Sequence, residues 1–163
     1  MLIRRYQTAD NQSVKALYYS GLEQFDADLR TDGYLALDKD LDDIENVYLN
    51  NSGEFLVGIL DGKLVAMGAL KKLSTTRGEI KRMSVHPYYQ RRGFGQTVLL
   101  RLLELADQFG YTELYLNTTA QNIPAQKLYE KSGFIQIQRR KIGRLEVIFY
   151  KKQLAMNQAK QNT

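Results

Sequence analysis

Met83-Ser84-Val85-His86-Pro87-Tyr88-Tyr89-Gln90-Arg91-Arg92-Gly93-Phe94-Gly95 decides the fold, because it joins an apolar strand to a long amphipathic helix through a glycine-rich loop. Ile80 to Val85 suits a strand. From Phe94 onward the apolar residues Val98, Leu99, Leu102, Leu103, Ala106 and Phe109 recur at helical spacing. Gly93 and Gly95 therefore stand where a helix begins. The first amides of a helix lack intrahelical acceptors, the positive end of the helix dipole lies behind them, and glycine allows a ligand to come close. The loop Gln90–Gly95 thus reads as a cradle for a pyrophosphate, with Arg91 and Arg92 adding charge.

Outward from this loop the elements alternate without a linker or repeat. Leu2 to Tyr6 reads as a strand, and Thr8 as the N-cap of a helix carrying Val14, Leu17, Tyr18 and Leu22. A second helix is expected near Asp40, with Leu41, Ile44, Val47 and Tyr48 on one face. Glu54–Leu60 and Leu64–Leu70 are strands around the hairpin signal Asp61-Gly62-Lys63. Arg77-Gly78 turns into a strand from Glu79 to His86, whose strict alternation places Glu79, Lys81, Met83 and Val85 on one face unless a bulge shifts the phase. Gly110 ends the long helix, and Thr112–Thr118 is a further strand. Asn122 caps a last helix with Pro124 in its first turn and Gly133 at its end, before a closing hairpin, Phe134–Arg139 and Leu145–Lys151, around Gly143. Residues 1–153 are expected to form one domain, followed by a polar tail, 154–163.

The composition narrows the chemistry. The 163 residues suit one domain with a sizeable core. There is no cysteine and a single histidine, His86, so disulfides, thiolate metal sites, a cysteine nucleophile and a histidine-built metal centre are excluded or disfavoured. No metal is expected. No apolar run marks a signal peptide or a membrane span, and the simplest reading is a cytoplasmic protein with no membrane partner. The net charge of +5 is unevenly spread. Ser20 to Glu54 is strongly acidic, with Arg30 and Lys39 as its only cations, and the remainder is correspondingly basic.

With these blocks assembled, the chain resembles the GNAT superfamily of acetyl-CoA-dependent N-acetyltransferases. Met83 to Gly95 looks like the family's signature strand and Q/R-x-x-G-x-G/A loop. Asn122-Ile123-Pro124-Ala125 through Leu128-Tyr129-Glu130-Lys131-Ser132-Gly133-Phe134 is similar to its second block, N-x-x-A…L-Y-x-x-x-G-F. The resemblance implies an α/β (mixed α+β) acyl-CoA N-acyltransferase fold, in the order β-α-α-β-β-β-α-β-α-β-β. That is a twisted mixed sheet of about seven strands flanked by about four helices. It also implies that the sheet splays open between the strands Glu79–His86 and Thr112–Thr118.

The same resemblance assigns roles. Acetyl-CoA would be the co-substrate, its pantetheine arm paired with the main chain of Met83 and Val85. Its pyrophosphate would lie in the Gln90–Gly95 loop on the amides of Arg91, Arg92, Gly93, Phe94, Gly95 and Gln96. Asn122 and Tyr129 would contact the arm and thiol. Acyl transfer to an amine needs a proton acceptor, a donor toward the developing oxyanion and an acid for the leaving thiolate. Tyr129 matches the family's general acid and the Val85 amide its oxyanion donor. Glu79 stands at the offset from Gln90 where histone-acetylating members carry a catalytic glutamate. His86, before Pro87, reads as a cap or packing residue.

The acceptor carries no motif. Asp26, Asp28, Asp32, Asp38 and Asp40, with Tyr34 as an aromatic wall, suit a cationic amine, while Arg139, Arg140, Lys141 and Arg144 in the closing hairpin suit an anionic one. The resemblance also allows a homodimer through the closing strands. Two other classes stay open: a non-catalytic acyl-CoA sensor, and a basic nucleic-acid-binding protein. The acidic third of the chain and the absence of a recognisable nucleic-acid-binding motif weigh against the second. Without cysteine, a ping-pong route through an acetyl-cysteine is closed, so transfer is expected to be direct.

Overall fold

A computed structural model describes residues 1–25 and 39–155. Its strands are β1 (Leu2–Arg5), β2 (Glu54–Leu60), β3 (Lys63–Lys72), β4 (Arg77–Val85), β5 (Glu113–Thr119), β6 (Ile135–Ile142) and β7 (Leu145–Gln153). They form one sheet in the order β1-β2-β3-β4-β5-β7-β6. Every adjacent pair is antiparallel except β4 with β5, which is parallel because α2 (Phe94–Phe109) crosses over between them. The remaining α-helices among the described residues are α1 (Asn11–Phe25) and α3 (Ile123–Lys131). This is the mixed α+β architecture read from the sequence.

The sheet has a core on each face. Val98, Leu99, Leu102 and Ala106 of α2 and Tyr129 of α3 pack on Leu70, Ile80, Leu114, Leu116, Ile148 and Tyr150. On the other face Val14 and Leu17 of α1, with Leu41, Ile44 and Tyr48, cover Phe55, Val57, Met67 and Ala69. Two-residue turns close the β2–β3 and β6–β7 hairpins. Asp61 and Gly62 both adopt positive φ, 50° and 74°, the twist that lets β2 return directly into β3.

Several local expectations need correction. The first helix starts through a short turn over Thr8–Asp10, and its N-cap is Gln7, not Thr8. Asp10 there accepts from the Gln7 amide at 2.8 Å and from the Arg4 guanidinium at 2.7 and 2.9 Å. The second helix is not regular: a tight turn over Lys39–Asp42 leads to a wide one over Glu45–Leu49, closed by the Asn50 amide on the Glu45 carbonyl. Its apolar face was read correctly, since Leu41, Ile44 and Tyr48 are buried.

The largest correction falls on β4. Lys81 opposes Ala69 and Ser84 opposes Met67, so Arg82 and Met83 together face Gly68. Arg82 adopts a φ of 57°. This is a β-bulge, and it reverses the alternation of side chains. Glu79 and Lys81 lie on the α1 face, whereas Met83 and Val85 pack toward α2, so the four do not share a face. Gly68 makes the bulge possible: a Cβ there would stand 2.5 Å from Met83 Sδ and 2.8 Å from Val98 Cγ1.

Candidate active site

β4 and β5 pair only at Arg77 with Glu113, Gly78 with Leu114, and Glu79 with Tyr115. Beyond that point β5 stays paired with β7 through Thr119, while β4 stays with β3 through Val85. The sheet therefore opens as a cleft with Glu79 and Tyr115 at its apex. The His86 amide donates to the Val65 carbonyl at 2.8 Å, toward β3. Strand alternation then turns the main-chain groups of Val85, and of Met83 before it, into the cleft. The Val85 carbonyl is engaged there by the Gln90 side chain at 3.1 Å, which fixes the start of the loop against the strand.

The loop has the geometry of an anion nest. Arg91 and Gly93 take positive φ, 64° and 80°, between residues of ordinary handedness, which turns successive amides toward one concavity. Among the described residues no backbone carbonyl accepts from the amides of Arg91 to Gln96, and the first helical bond runs from the Thr97 amide to Gly93 at 3.0 Å. The Thr97 hydroxyl reinforces it at 2.9 Å. The Arg92 guanidinium lies 5.6 and 5.2 Å from the ring centres of Tyr88 and Tyr89, while Arg91, Arg92 and Gln96 are exposed. His86 caps this corner through Nδ1, which accepts from the Tyr88 amide at 3.2 Å.

Three elements converge at the loop. A Cβ on Gly95 would stand 3.6 Å from both Val85 Cγ2 of β4 and Leu128 Cδ2 of α3. Phe94 is half-buried against the same core as Met83 and Val85. Asn122 is the N-cap of α3, its side chain accepting from the Ala125 amide at 3.2 Å. About two turns later Tyr129 is buried between Phe134 and Tyr150, with ring centres 6.1 and 6.2 Å away. Burial, with a smaller contribution from Tyr150, pushes the Tyr129 phenol well above its ordinary range, so it stays protonated. Its hydroxyl hydrogen-bonds to no other described residue, whereas the Tyr150 hydroxyl donates to Glu130 at 3.0 Å. A buried phenol normally finds a partner, so Tyr129 has a proton to offer.

Glu79 stands at the cleft apex on the sheet face opposite Tyr129, 3.6 Å from the Lys81 ammonium. Beside it, Glu113 accepts from the Tyr115 hydroxyl at 2.8 Å and pairs with Lys151 and Arg77 at 3.3 and 3.0 Å. The Tyr115 hydrogen bond first, and then those cations, hold the Glu113 carboxyl below its usual range.

Two groups of expected acceptor residues fare differently. Asp26, Asp28, Asp32, Asp38 and Tyr34 lie outside the described residues, as do 156–163 of the tail. Asp40 is engaged in the interior: Arg82 clasps it at 2.9 and 2.6 Å, and Tyr48 donates to the same carboxylate. Arg82 escaped the sequence reading because only the bulge turns it inward under the Tyr18 ring, 4.8 Å away.

Comparison with known proteins places this architecture. The matched segment is 38% identical over 101 residues to the N-acetylaspartate synthetase of Xenopus tropicalis, covering 61% of this chain and 37% of that protein. The chain thus spans little more than a third of that relative's length. Over 94% of its residues it superposes on an acetyltransferase of Staphylococcus aureus, covering 99% of that chain at 23% identity with a TM-score of 0.81. It also superposes on the paia N-acetyltransferase of Thermoplasma acidophilum in complex with coenzyme A, with coverage of 94% and 98%, 19% identity and a TM-score of 0.76. At these identities the two superpositions speak for the fold. The Acetyltransferase (GNAT) family model matches residues 14–134, and the chain belongs to that family.

Proposed function

We propose that the protein is an acetyl-CoA-dependent N-acetyltransferase that moves the acetyl group directly to a primary amine within a ternary complex. One observation carries the reading: the open main chain of β4 runs straight into the amide nest of Arg91–Gln96, with the buried Tyr129 hydroxyl at the same convergence. That donor set fits a pantetheine arm followed by a pyrophosphate. The names of relatives such as the N-acetylaspartate synthetases support N-acetyl transfer.

Acetyl-CoA supplies the acetyl group as a thioester. The Met83 and Val85 main chain and the nest position it, with the left-handed Gly93 turning the loop amides toward it. The amine nitrogen forms the C–N bond as the C–S bond breaks. The Val85 N–H faces the oxygen where negative charge develops. Tyr129 gives its phenolic proton to the sulfur, which takes the electron pair, and recovers a proton from solvent. Glu79, on the acceptor side, takes the proton that the amine must shed, directly or through a water. Without cysteine the chain cannot carry the acetyl group as a thioester of its own.

Calorimetric titration with acetyl-CoA, followed by thiol release with an amine panel, tests this. One-site micromolar binding and amine-dependent release are expected, with initial-rate lines that intersect. Parallel lines would contradict direct transfer, and binding without release from any amine would leave a cofactor sensor.

A further inference from the structure

Face by face, the charges around the cleft apex are not neutral. On the α1 side of the sheet a row crosses four strands at one level: Lys71 of β3, Glu79 of β4, Tyr115 of β5 and Lys151 of β7. Lys81 follows Glu79 on the same face, and Asn117 and Phe149 follow Tyr115 and Lys151 as a cross-strand pair. Arg140 of β6 reaches over Phe149, its guanidinium 4.9 Å from the ring centre. Helix α1 covers only the far half of β4, with Tyr18 over Arg82 and Gly21 beside Ser84. Among the described residues this leaves a bay at the apex of the cleft floored by the half-buried Tyr115 and Phe149, with Leu22 of α1 packed on Leu145 and Val147 at its edge.

Cations outnumber carboxylates on this face among the described residues. Arg77 and Lys151 already offset Glu113, and Lys81 lies beside Glu79. Two cations on the one carboxylate of Glu113 leave one over, so with Lys71 and Arg140 three positive charges are in excess. Asp40, the one described member of the acidic set, adds no negative potential here because Arg82 neutralises it in the interior. A cleft lined by one sign of charge concentrates ligands of the other sign. Flexible lysines on an apolar floor suit a small anion that must also leave after turnover.

Resting on the acetyl transfer proposed above, we infer that the acceptor is a primary amine bearing a carboxylate, its amine at Glu79 and its carboxylate among Lys81, Lys151 and Arg140. The carboxylate would anchor the amine at the apex, where the acetyl carbon arrives from the α2 side. Glu79 then receives the ammonium end, so one carboxylate and several cations together read a zwitterion rather than a polycation.

The test titrates the full chain, saturated with coenzyme A so that no turnover intervenes, with glycine, L-aspartate and L-glutamate, each beside its fully amidated form, and with spermidine. At least one acid is expected to bind tenfold or more tighter than its amide. Lys151→Met and Arg140→Met should each weaken that acid by tenfold or more, roughly 1.4 kcal/mol, and leave the amide within about twofold. Equal binding of acids and amides, tightest binding of spermidine, no binding of any acid, or a preference that survives both substitutions would overturn the inference. A separate acetyl-CoA titration keeps the two readings apart. If acetyl-CoA binds and acids show no preference, only the carboxylate assignment falls. If acetyl-CoA does not bind while an acid still binds free protein through Lys151 and Arg140, the transfer reading falls and the bay stands.

Discussion

Arg82 clasps Asp40 with two hydrogen bonds, at 2.9 and 2.6 Å, across 42 positions of chain, and both side chains are only 9% exposed. The pair ties the helical segment after residue 38 to the bulge that re-aims Met83 and Val85. A positive φ at an arginine is strained, and the ion pair is what the surroundings offer to hold it. Asp40→Asn takes this counter-charge away from the buried guanidinium. The expected loss is about 3–5 kcal/mol, a fall in Tm of roughly 6–20 °C for a domain of this size. Thermal unfolding followed by circular dichroism measures it, and a shift of only a degree or two would show that the pair does not hold the bulge.

The same pair predicts an acid limb. Burial alone would raise the Asp40 carboxyl, but Arg82 and Tyr48 outweigh it and hold the group below its ordinary 3.8. A carboxyl depressed in the fold contributes its full stability above the unfolded value and loses it as pH falls through the folded one. The stability gap between the native chain and Asp40→Asn should therefore be constant above about pH 5 and narrow steadily below pH 4. Urea unfolding at a series of pH values reads this directly. A gap that widened in acid would reverse the sign of the linkage.

Tyr129→Phe removes the one buried hydroxyl at the convergence of the loop, β4 and α3 without opening a cavity. Because burial raises its phenol, Tyr129 is protonated across the neutral range and is suited to give a proton rather than take one. Loss of a positioned general acid lowers kcat by about 10²–10⁴. The KM for acetyl-CoA should change little, since the nest and the β4 main chain are intact. A kcat within threefold of native would assign Tyr129 to the core alone.

Glu79 sits at the cleft apex on the face opposite Tyr129, and in the proposed transfer a carboxylate there serves an amine only while that amine is protonated. Glu79→Gln should lower kcat/KM more than tenfold at pH 7, with the deficit shrinking as pH rises toward the pKa of the acceptor ammonium. A deficit independent of pH would point to a positioning role.

Much of this was legible in the sequence because it rests on local rules. Turn residues marked the hairpin at Asp61 and Gly62, helical spacing marked α2, and Asn122 and Pro124 marked the start of α3. The irregular segment at residues 39–49 was misread because its buried face, Leu41, Ile44 and Tyr48, has helical spacing whether or not its hydrogen bonds are regular. A bulge in β4 could be named as the alternative to strict alternation, but its place at Arg82 and Met83 could not be read, for a different reason. It depends on Gly68 standing opposite two residues of β4, and on a partner for Arg82 that lies 42 positions earlier, and no window on β4 contains either. With the phase reversed, Glu79 and the Met83–Val85 main chain come to serve different sides of one cleft.

Gly93 and Gly95 share one loop but differ in what a side chain would meet there, and two single substitutions separate them. Gly93 adopts a φ of 80° with nothing within 4 Å of the place a Cβ would occupy. Alanine there meets no neighbour and costs only the left-handed conformation, about 1–2 kcal/mol. Relief of that strain would turn the flanking amides out of the concavity, so the Kd for acetyl-CoA should rise tenfold or more. Gly95 has ordinary φ inside α2, and a Cβ there would meet Val85 and Leu128 at 3.6 Å, normal packing distance. Gly95→Ala should therefore leave stability unchanged or raise it by up to about 1 kcal/mol, with acetyl-CoA binding within threefold of native. Calorimetry and thermal unfolding on the two variants decide the matter. If Gly95→Ala lost the cofactor and Gly93→Ala kept it, close approach at the helix start, rather than the handedness of the loop, would be what binds the pyrophosphate.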